Sequence, residues 1–484
     1  MFIGREAELQ FLEDRYISSH AEFVVLYGRR RVGKTETLKQ FCEGKPHVFY
    51  SCTQCTDQAQ LAKFSAQLLR EDLPAKQYVT VFPDWEKAFH SILDLPYGEK
   101  KKLVVIDEFP YMCQRNTAIP SLLQNMWDAE FKDHSIMLIL CGSAMSFIEK
   151  ELLAEKNPLY GRATGIYKMN PMVFYDAKKF FPDYSPEDQI LAYAVLGGIP
   201  HYLNQFQNGL SLEENIKKNI LTKGCILYSE VEFLLHQELR ETPVYNSLIE
   251  SVALGSTKLN EISQKSLLCN NSKTSVYLKN LMELGIVERE FSVDISEKER
   301  GNSNRGMYRL TDNFFRFWYA FGFGNYSQLE DGDVDGVYRY LIAPELHAFA
   351  SGVFEDVSRE FVRELQKRNK LPFRYNRIGR WMGKTTVRDV NSESGNRMAE
   401  TEIDILALSP RRDQYLIGEC KFKNAPFRYS EFLDTTAKLA AEKKQAEFYY
   451  YLFSASGFDE MLLAEAEKSD TLKLYTAEEV VQLR

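Results

Sequence analysis

The sequence predicts a multidomain α/β protein whose N-terminal part is built on a parallel sheet. Three observations lead there. The chain has 484 residues, too many for one core at roughly 100–200 residues per domain. An apolar run at 23–27 (FVVLY) passes through a glycine-bounded loop at 28–35 (GRRRVGKT) straight into a helical segment, ETLKQFCE. Two further apolar runs, at 103–106 and 136–140, end in polar residues, the pattern of buried parallel strands whose C-terminal edges line a crevice.

Composition bounds the function classes. Apolar residues make up 44% and charged residues 26%, an ordinary globular balance that excludes bulk disorder. A net charge of -8 argues against coating nucleic acid along the whole chain and leaves local basic surfaces open. The opening MFIGREAELQ lacks the order of a signal peptide, and no run of 18 or more apolar residues is present. A cytoplasmic location without a membrane partner is therefore expected. The eight cysteines suit reduced thiols, and Cys52 and Cys55 form a lone CxxC with no second pair, so no zinc is assigned.

In the glycine loop, Gly28 and Gly33 let the backbone curve around phosphates, and the amides opening the helix point at an anion. Gly28, Arg29, Arg30, Arg31, Val32, Gly33, Lys34, Thr35 and Glu36 are the expected ATP contacts. Lys34 reaches the β and γ phosphates and the Thr35 hydroxyl meets Mg2+. The run at 103–108 (LVVIDE) supplies two acids: Asp107 to hold magnesium and Glu108 to polarise an attacking water. Ser143, after the third run, is either a γ-phosphate sensor or a plain turn serine. Arg162, in Tyr160-Gly161-Arg162, either stabilises charge on a transferred phosphoryl group or forms a surface ion pair.

Phe2-Ile3-Gly4-Arg5-Glu6 with Glu8-Leu9, the GRRRVGKT loop, VVIDEF, LCGSA and Gly197-Gly198-Ile199-Pro200 together resemble the archaeal-type ATPases of the AAA+ and STAND group. The resemblance covers about the first 240 residues. It implies that Phe2 to Arg5 lie near the adenine, that Ser143 is a sensor, and that a helical lid follows the sheet.

Beyond residue 170 the pattern changes. Residues 171–240 are rich in helix formers, with breaks at Gly197-Gly198 and Pro200, as in a helical lid. Helical segments at 244–253, 258–267 and 272–284, then strands at 285–289 and 307–310, make a winged helix. Its third helix would offer Lys273, Thr274, Ser275 and Lys279 to DNA while Leu278, Leu281 and Leu284 face the core; such units also serve as protein contacts. The aromatic cluster at 314–319 reads as packed core, and the acidic stretch at 330–336 as a solvated linker.

The C-terminal part places Asp404 on one strand and Glu419 and Lys421, two apart and therefore on one face, on the next. Asp404 and Glu419 suit a second divalent cation, Mg2+ or Mn2+, with Lys421 orienting a water and Glu355 completing the ligand set. The arrangement resembles the PD-(D/E)XK nuclease fold, although no proline precedes the aspartate. Seven Arg and three Lys against two Glu between 359 and 388 suit phosphate contact.

The expected architecture is thus a P-loop ATPase core at 1–170, a lid at 171–240, a winged helix at 241–325, a linker at 326–339 and an α/β nuclease-like domain at 340–484. Two functions are expected from it: an ATPase that couples hydrolysis to DNA binding or processing, or a STAND-type nucleotide-gated switch whose nuclease-like domain serves only for contact. Self-association, with Arg162 acting across subunits in a ring, is a third expectation.

Overall fold

A computed structural model describes residues 2–155, 157–301, 305–388, 396–440 and 445–483. They form two compact units. One runs to Met172 and includes Ile199–His201; the other comprises Val173–Gly198 and the chain from Tyr202 onward.

The first unit contains five parallel strands, β1 (Glu22–Tyr27), β2 (His47–Ser51), β3 (Lys102–Asp107), β4 (Ile136–Gly142) and β5 (Gly165–Lys168), in the order β2-β3-β4-β1-β5. Every residue of β1 and β4 is buried, which is why both read as unbroken apolar runs rather than alternating ones. The registers Tyr27↔Gly142 and Ile106↔Leu140 bring the C-terminal ends of β1, β3 and β4 level. The glycine loop leaves β1 at that edge and opens the helix Lys34–Cys42.

In the second unit, the helices Thr242–Ala253, Leu259–Lys265 and Asn271–Glu283 are followed by the antiparallel pair β6 (Val287–Glu290) and β7 (Met307–Leu310). Leu278 and Leu281 are fully buried on the third helix, while Lys273, Ser275 and Lys279 are exposed. Thr274 differs from expectation. It lies on the buried side of the helix, and its hydroxyl donates to the Asn270 carbonyl at 2.9 Å, so it is not offered to solvent. The rings at 314–319 are core, with Phe314, Phe315 and Phe317 fully buried.

The stretch at 326–339, expected as a linker, folds as the short helices Tyr326–Glu330 and Val334–Val337, the second running on through residue 342. Leu329 and Val337 are buried there. Its acids act locally: Asp333 accepts from the Gly336 N–H at 2.9 Å, and Glu330 pairs with Lys223. An acidic run of this kind reads as linker because capping by Asp is not separable from solvation without the fold.

The helix Leu346–Lys367 precedes a mixed sheet of β8 (Arg377–Arg388), β9 (Asn396–Leu408), β10 (Gln414–Lys421), β11 (Glu447–Ser454) and β12 (Leu472–Thr476), ordered β12-β11-β10-β9-β8. β9 runs antiparallel to both β8 and β10, and β10, β11 and β12 are parallel. The β6-β7 pair is bolted to this part by charge. Arg309 on β7 bonds Glu288 on β6 and Asp356 on the long helix, the latter at 2.9 Å. Arg359 bonds the same Asp356 at 2.9 Å. Burial opposes the Arg309 charge, but the Asp356, Glu288 and Glu290 carboxylates outweigh it and hold the guanidinium above the ordinary arginine range. Just beyond β6, the Val293 N–H donates to the Arg380 carbonyl at 2.9 Å, and its side chain joins Trp381 and Ile403 in the C-terminal core.

Glu360 gives the unit a pH dependence. Its carboxylate accepts the N–H groups of Phe174 at 3.1 Å and Tyr175 at 3.4 Å, at the start of the helix Phe174–Ala177. Burial pushes its pKa up to about 7 against the pull of those two bonds. A carboxyl held above its unfolded value, about 4.3, contributes stability that is complete below that value and is lost as pH rises through about 7. The native chain is expected to decline in Tm across that window, and thermal melts of Glu360→Gln are expected to lose that decline.

Candidate functional site

The glycine loop is confined by close packing. A Cβ on Gly28 would lie 2.3 Å from the Met169 carbonyl oxygen, so only glycine leaves room. Arg31 and Gly33 have φ of 69° and 94°, the left-handed turns that aim successive N–H groups into one concavity. Arg5, itself 6% exposed, braces the loop from outside. Its guanidinium donates to the carbonyls of Val32 at 2.7 Å and Asn170 at 2.8 Å and pairs with Glu8 at 2.7 Å. The resemblance puts Arg5 near the adenine; the sequence carries no sign of this second engagement, which joins positions remote along the chain. Pro200 and His201 also return to the loop: a Cβ on Gly33 would sit 3.7 Å from the Pro200 ring, and burial with the nearby Arg31 charge lowers the His201 pKa. The GGIP segment was their only trace in the sequence.

Lys34 is 5% exposed. Its ammonium donates to the carbonyls of Gly28 at 2.9 Å and Arg29 at 3.0 Å. Burial lowers its pKa, and the thiol of Cys141 and the carboxylates of Glu108 and Asp107 oppose that shift. A buried cation hydrogen-bonded to neutral carbonyls suits an anionic ligand. The Thr35 hydroxyl donates to Asp107 Oδ2 at 2.7 Å, so the loop and the end of β3 meet in one hard-oxygen donor set that fits a magnesium ion. Glu108 follows at φ 50° and receives the Ser143 hydroxyl at 2.9 Å and 3.0 Å on its two oxygens. Lys34, Thr35, Asp107, Glu108 and Ser143 are thereby brought together at the edge formed by β1, β3 and β4.

Val32 is buried, and Arg30 approaches the Tyr111 hydroxyl at 3.4 Å. Glu36 pairs with Lys39 at 2.8 Å on an exposed helix face. Arg162 pairs with Asp128 at 2.9 Å at the surface, which is the ion-pair alternative left open by the sequence.

The C-terminal carboxylates sit at an irregularity. Between Gly379↔Leu406 and Trp381↔Ile403 the register shifts, so Asp404 and Ile405 on β9 oppose the single residue Arg380 on β8. A bulge of this kind turns a side chain out of the regular alternation. Asp404 Oδ2 accepts the Cys420 N–H at 2.8 Å, and Lys421 donates to Glu419 at 3.0 Å. Burial pushes the Asp404 carboxyl up to about 7, with Glu419 and Glu355 adding to the rise. Glu355 is bonded by Arg380. Among the described residues no three His, Cys, Asp or Glu side chains are gathered closely enough to hold a metal ion, and the Arg380 guanidinium already bonds Glu355, the third acid expected beside Asp404 and Glu419. The basic segment at 359–388 likewise spends Arg359 and Arg380 on internal acids.

Similarity to other proteins follows this division. A family described as an ATPase domain predominantly from Archaea matches residues 2–206, and a family of archaeal and bacterial proteins of unknown function matches residues 318–438. An uncharacterized protein of Methanocaldococcus jannaschii is 33% identical over 424 residues, 88% of each chain. An uncharacterized ATP-binding protein of that organism is 51% identical over 45 residues, 9% of this chain and 76% of the other. The Walker-type ATPase of Pyrococcus abyssi shares the fold with a TM-score of 0.51 at 18% identity, over 66% of this chain and 96% of that one. Among the described residues no helix is long and apolar enough to cross a membrane.

Proposed function

From the premise that the chain belongs to the family of archaeal-type P-loop ATPases that includes the Methanocaldococcus jannaschii protein, we propose that it hydrolyses ATP at the Gly28–Glu36 loop and couples turnover to DNA contact by its C-terminal part. ATP-binding hydrolase is the family's coarse assignment; the residue roles and the DNA are the finer reading. The observation that carries it is the 2.7 Å bond between Thr35 and Asp107, two residues that a magnesium site needs side by side.

In this reading the loop amides and Lys34 bind the β and γ phosphates, and Thr35 with Asp107 holds magnesium. Magnesium, when bound, neutralises charge on the phosphate oxygens. Glu108 orients the attacking water once the Ser143 hydroxyl exchanges its carboxylate partner for a phosphate oxygen. The winged helix, with Lys273, Ser275 and Lys279 exposed, and the region of Asp404, Glu419 and Lys421 form the nucleic-acid end. The test is incubation of the full chain with linear, circular and single-stranded DNA in magnesium or manganese, with and without ATP. DNA-stimulated ATP turnover is the expected result, and turnover indifferent to every DNA rejects the coupling.

A second reading is favoured by the Arg380–Glu355 pair, which occupies a carboxylate that a nuclease centre needs. Here the C-terminal part only contacts its partner, and ATP binding acts as a switch. Cleavage of DNA that is abolished in both Asp404→Ala and Lys421→Ala excludes this reading.

A further inference from the structure

The second unit contains a cavity of about 420 Å³ walled by the rings of Tyr228, Trp318, Tyr319, Phe323 and Tyr326. Its size is that of a small-molecule site. The rings stand at angles to one another rather than packing flat: Tyr228 meets Trp318 at 5.5 Å and 78°, and Tyr319 meets Phe323 at 4.9 Å and 42°. Two of them are fixed by their hydroxyls, Tyr228 donating to Glu330 at 2.6 Å and Tyr319 to Asn246 at 2.7 Å. A phenol that donates its proton in this way leaves its ring richer in π-electron density. Tyr326, 42% exposed, closes one side without being part of the core.

Charge decides what such a box holds. The described residues that line it include Glu232 and His236 and neither lysine nor arginine, so an anion finds no countercharge. Glu232 is largely exposed, 3.7 Å from His236; Glu330, behind the Tyr228 hydroxyl, is already paired with Lys223 and adds no net charge. Several ring faces with the Glu232 carboxylate beside them attract an ammonium carried on carbon, since the faces hold negative potential and the acid adds to it. We propose that this cavity binds a small organic cation of the substituted-ammonium class. It is separate from the nucleotide loop and does not depend on the DNA reading.

The test is calorimetric titration of the full chain with choline, with its neutral carbon isostere 3,3-dimethylbutan-1-ol, and with adenosine. Saturable 1:1 binding of choline is expected, about tenfold weaker in Tyr326→Ala and in Glu232→Gln, with ATP turnover and Tm unchanged in both. Equal binding of the alcohol makes the cavity merely apolar, and preferential binding of adenosine makes it a base-stacking site; either overturns the proposal. So does failure of choline to saturate below about 10 mM, a weakness beyond the millimolar range of a specific small-ligand site. Tyr326 and Glu232 are both exposed, so the variants separate lost binding from lost folding.

Discussion

Replacement of Lys34 by alanine is expected to lower ATP turnover by about 10²–10³-fold, the usual effect of removing one preorganised charge from a phosphoryl-transfer site. The loss should lie in turnover and nucleotide binding, not in folding. Lys34 is buried with its ammonium bonded to two carbonyls, and burial lowers its pKa, so in the nucleotide-free protein its charge is a burden on stability. The variant is therefore expected to melt at or above the native temperature without nucleotide and to lose the rise in Tm that ATP and magnesium give the native protein. A Lys34→Ala chain that turns over ATP at the native rate removes the loop from the reaction.

The second large effect concerns Arg5. Its guanidinium is 6% exposed and joins Glu8, the Val32 carbonyl and the Asn170 carbonyl. Arg5→Ala leaves Glu8 buried without its cation, a change that costs about 3–5 kcal/mol. Urea unfolding of the first unit should register that loss. The double variant Arg5→Ala, Glu8→Ala should recover part of it, because the stranded charge goes with the second substitution. Nucleotide affinity should fall in both, since the brace on the loop backbone at Val32 is missing in either case.

These two residues mark the limit of what the sequence discloses. Lys34 was legible because its role depends on local order, a buried strand, a glycine loop and a helix within a few residues. The strands β3 and β4 were legible for a related reason: burial on both faces leaves an uninterrupted apolar run. The three helices of 242–283 were legible, and so was the inward side of the third at Leu278 and Leu281, but the side on which Thr274 lies was not. Thr274 shares its burial with Leu278 and Leu281, and a hydroxyl residue at an inward position looks like a surface one until its bond to Asn270 is seen. Arg5 shows the opposite difficulty. Its partners lie 27 and 165 positions away, and no periodicity encodes such a pairing.

The C-terminal residues fall between these cases. Alternation correctly put Glu419 and Lys421 on one face, where they bond. The bulge at Asp404 was hidden, because an extra residue in a strand changes neither composition nor apolar pattern. Arg380 was counted among the cations available for phosphate, yet in the structure it is bonded to Glu355. Net local charge says how many cations a segment has and not how many are already answered.

The bolt between the β6-β7 pair and the long helix bears on where this polypeptide can be divided. Val293 fills the C-terminal core beside Trp381 and Ile403, while Arg309 and Arg359 both lean on Asp356. A shortened chain starting near residue 340 would carry Asp356 with half of its guanidinium partners and an open notch where Val293 had been. The smallest portable piece containing Asp404, Glu419 and Lys421 therefore begins ahead of Val287, and a gene fragment cut at the acidic stretch would yield insoluble or partly unfolded product whatever the competence of the intact molecule.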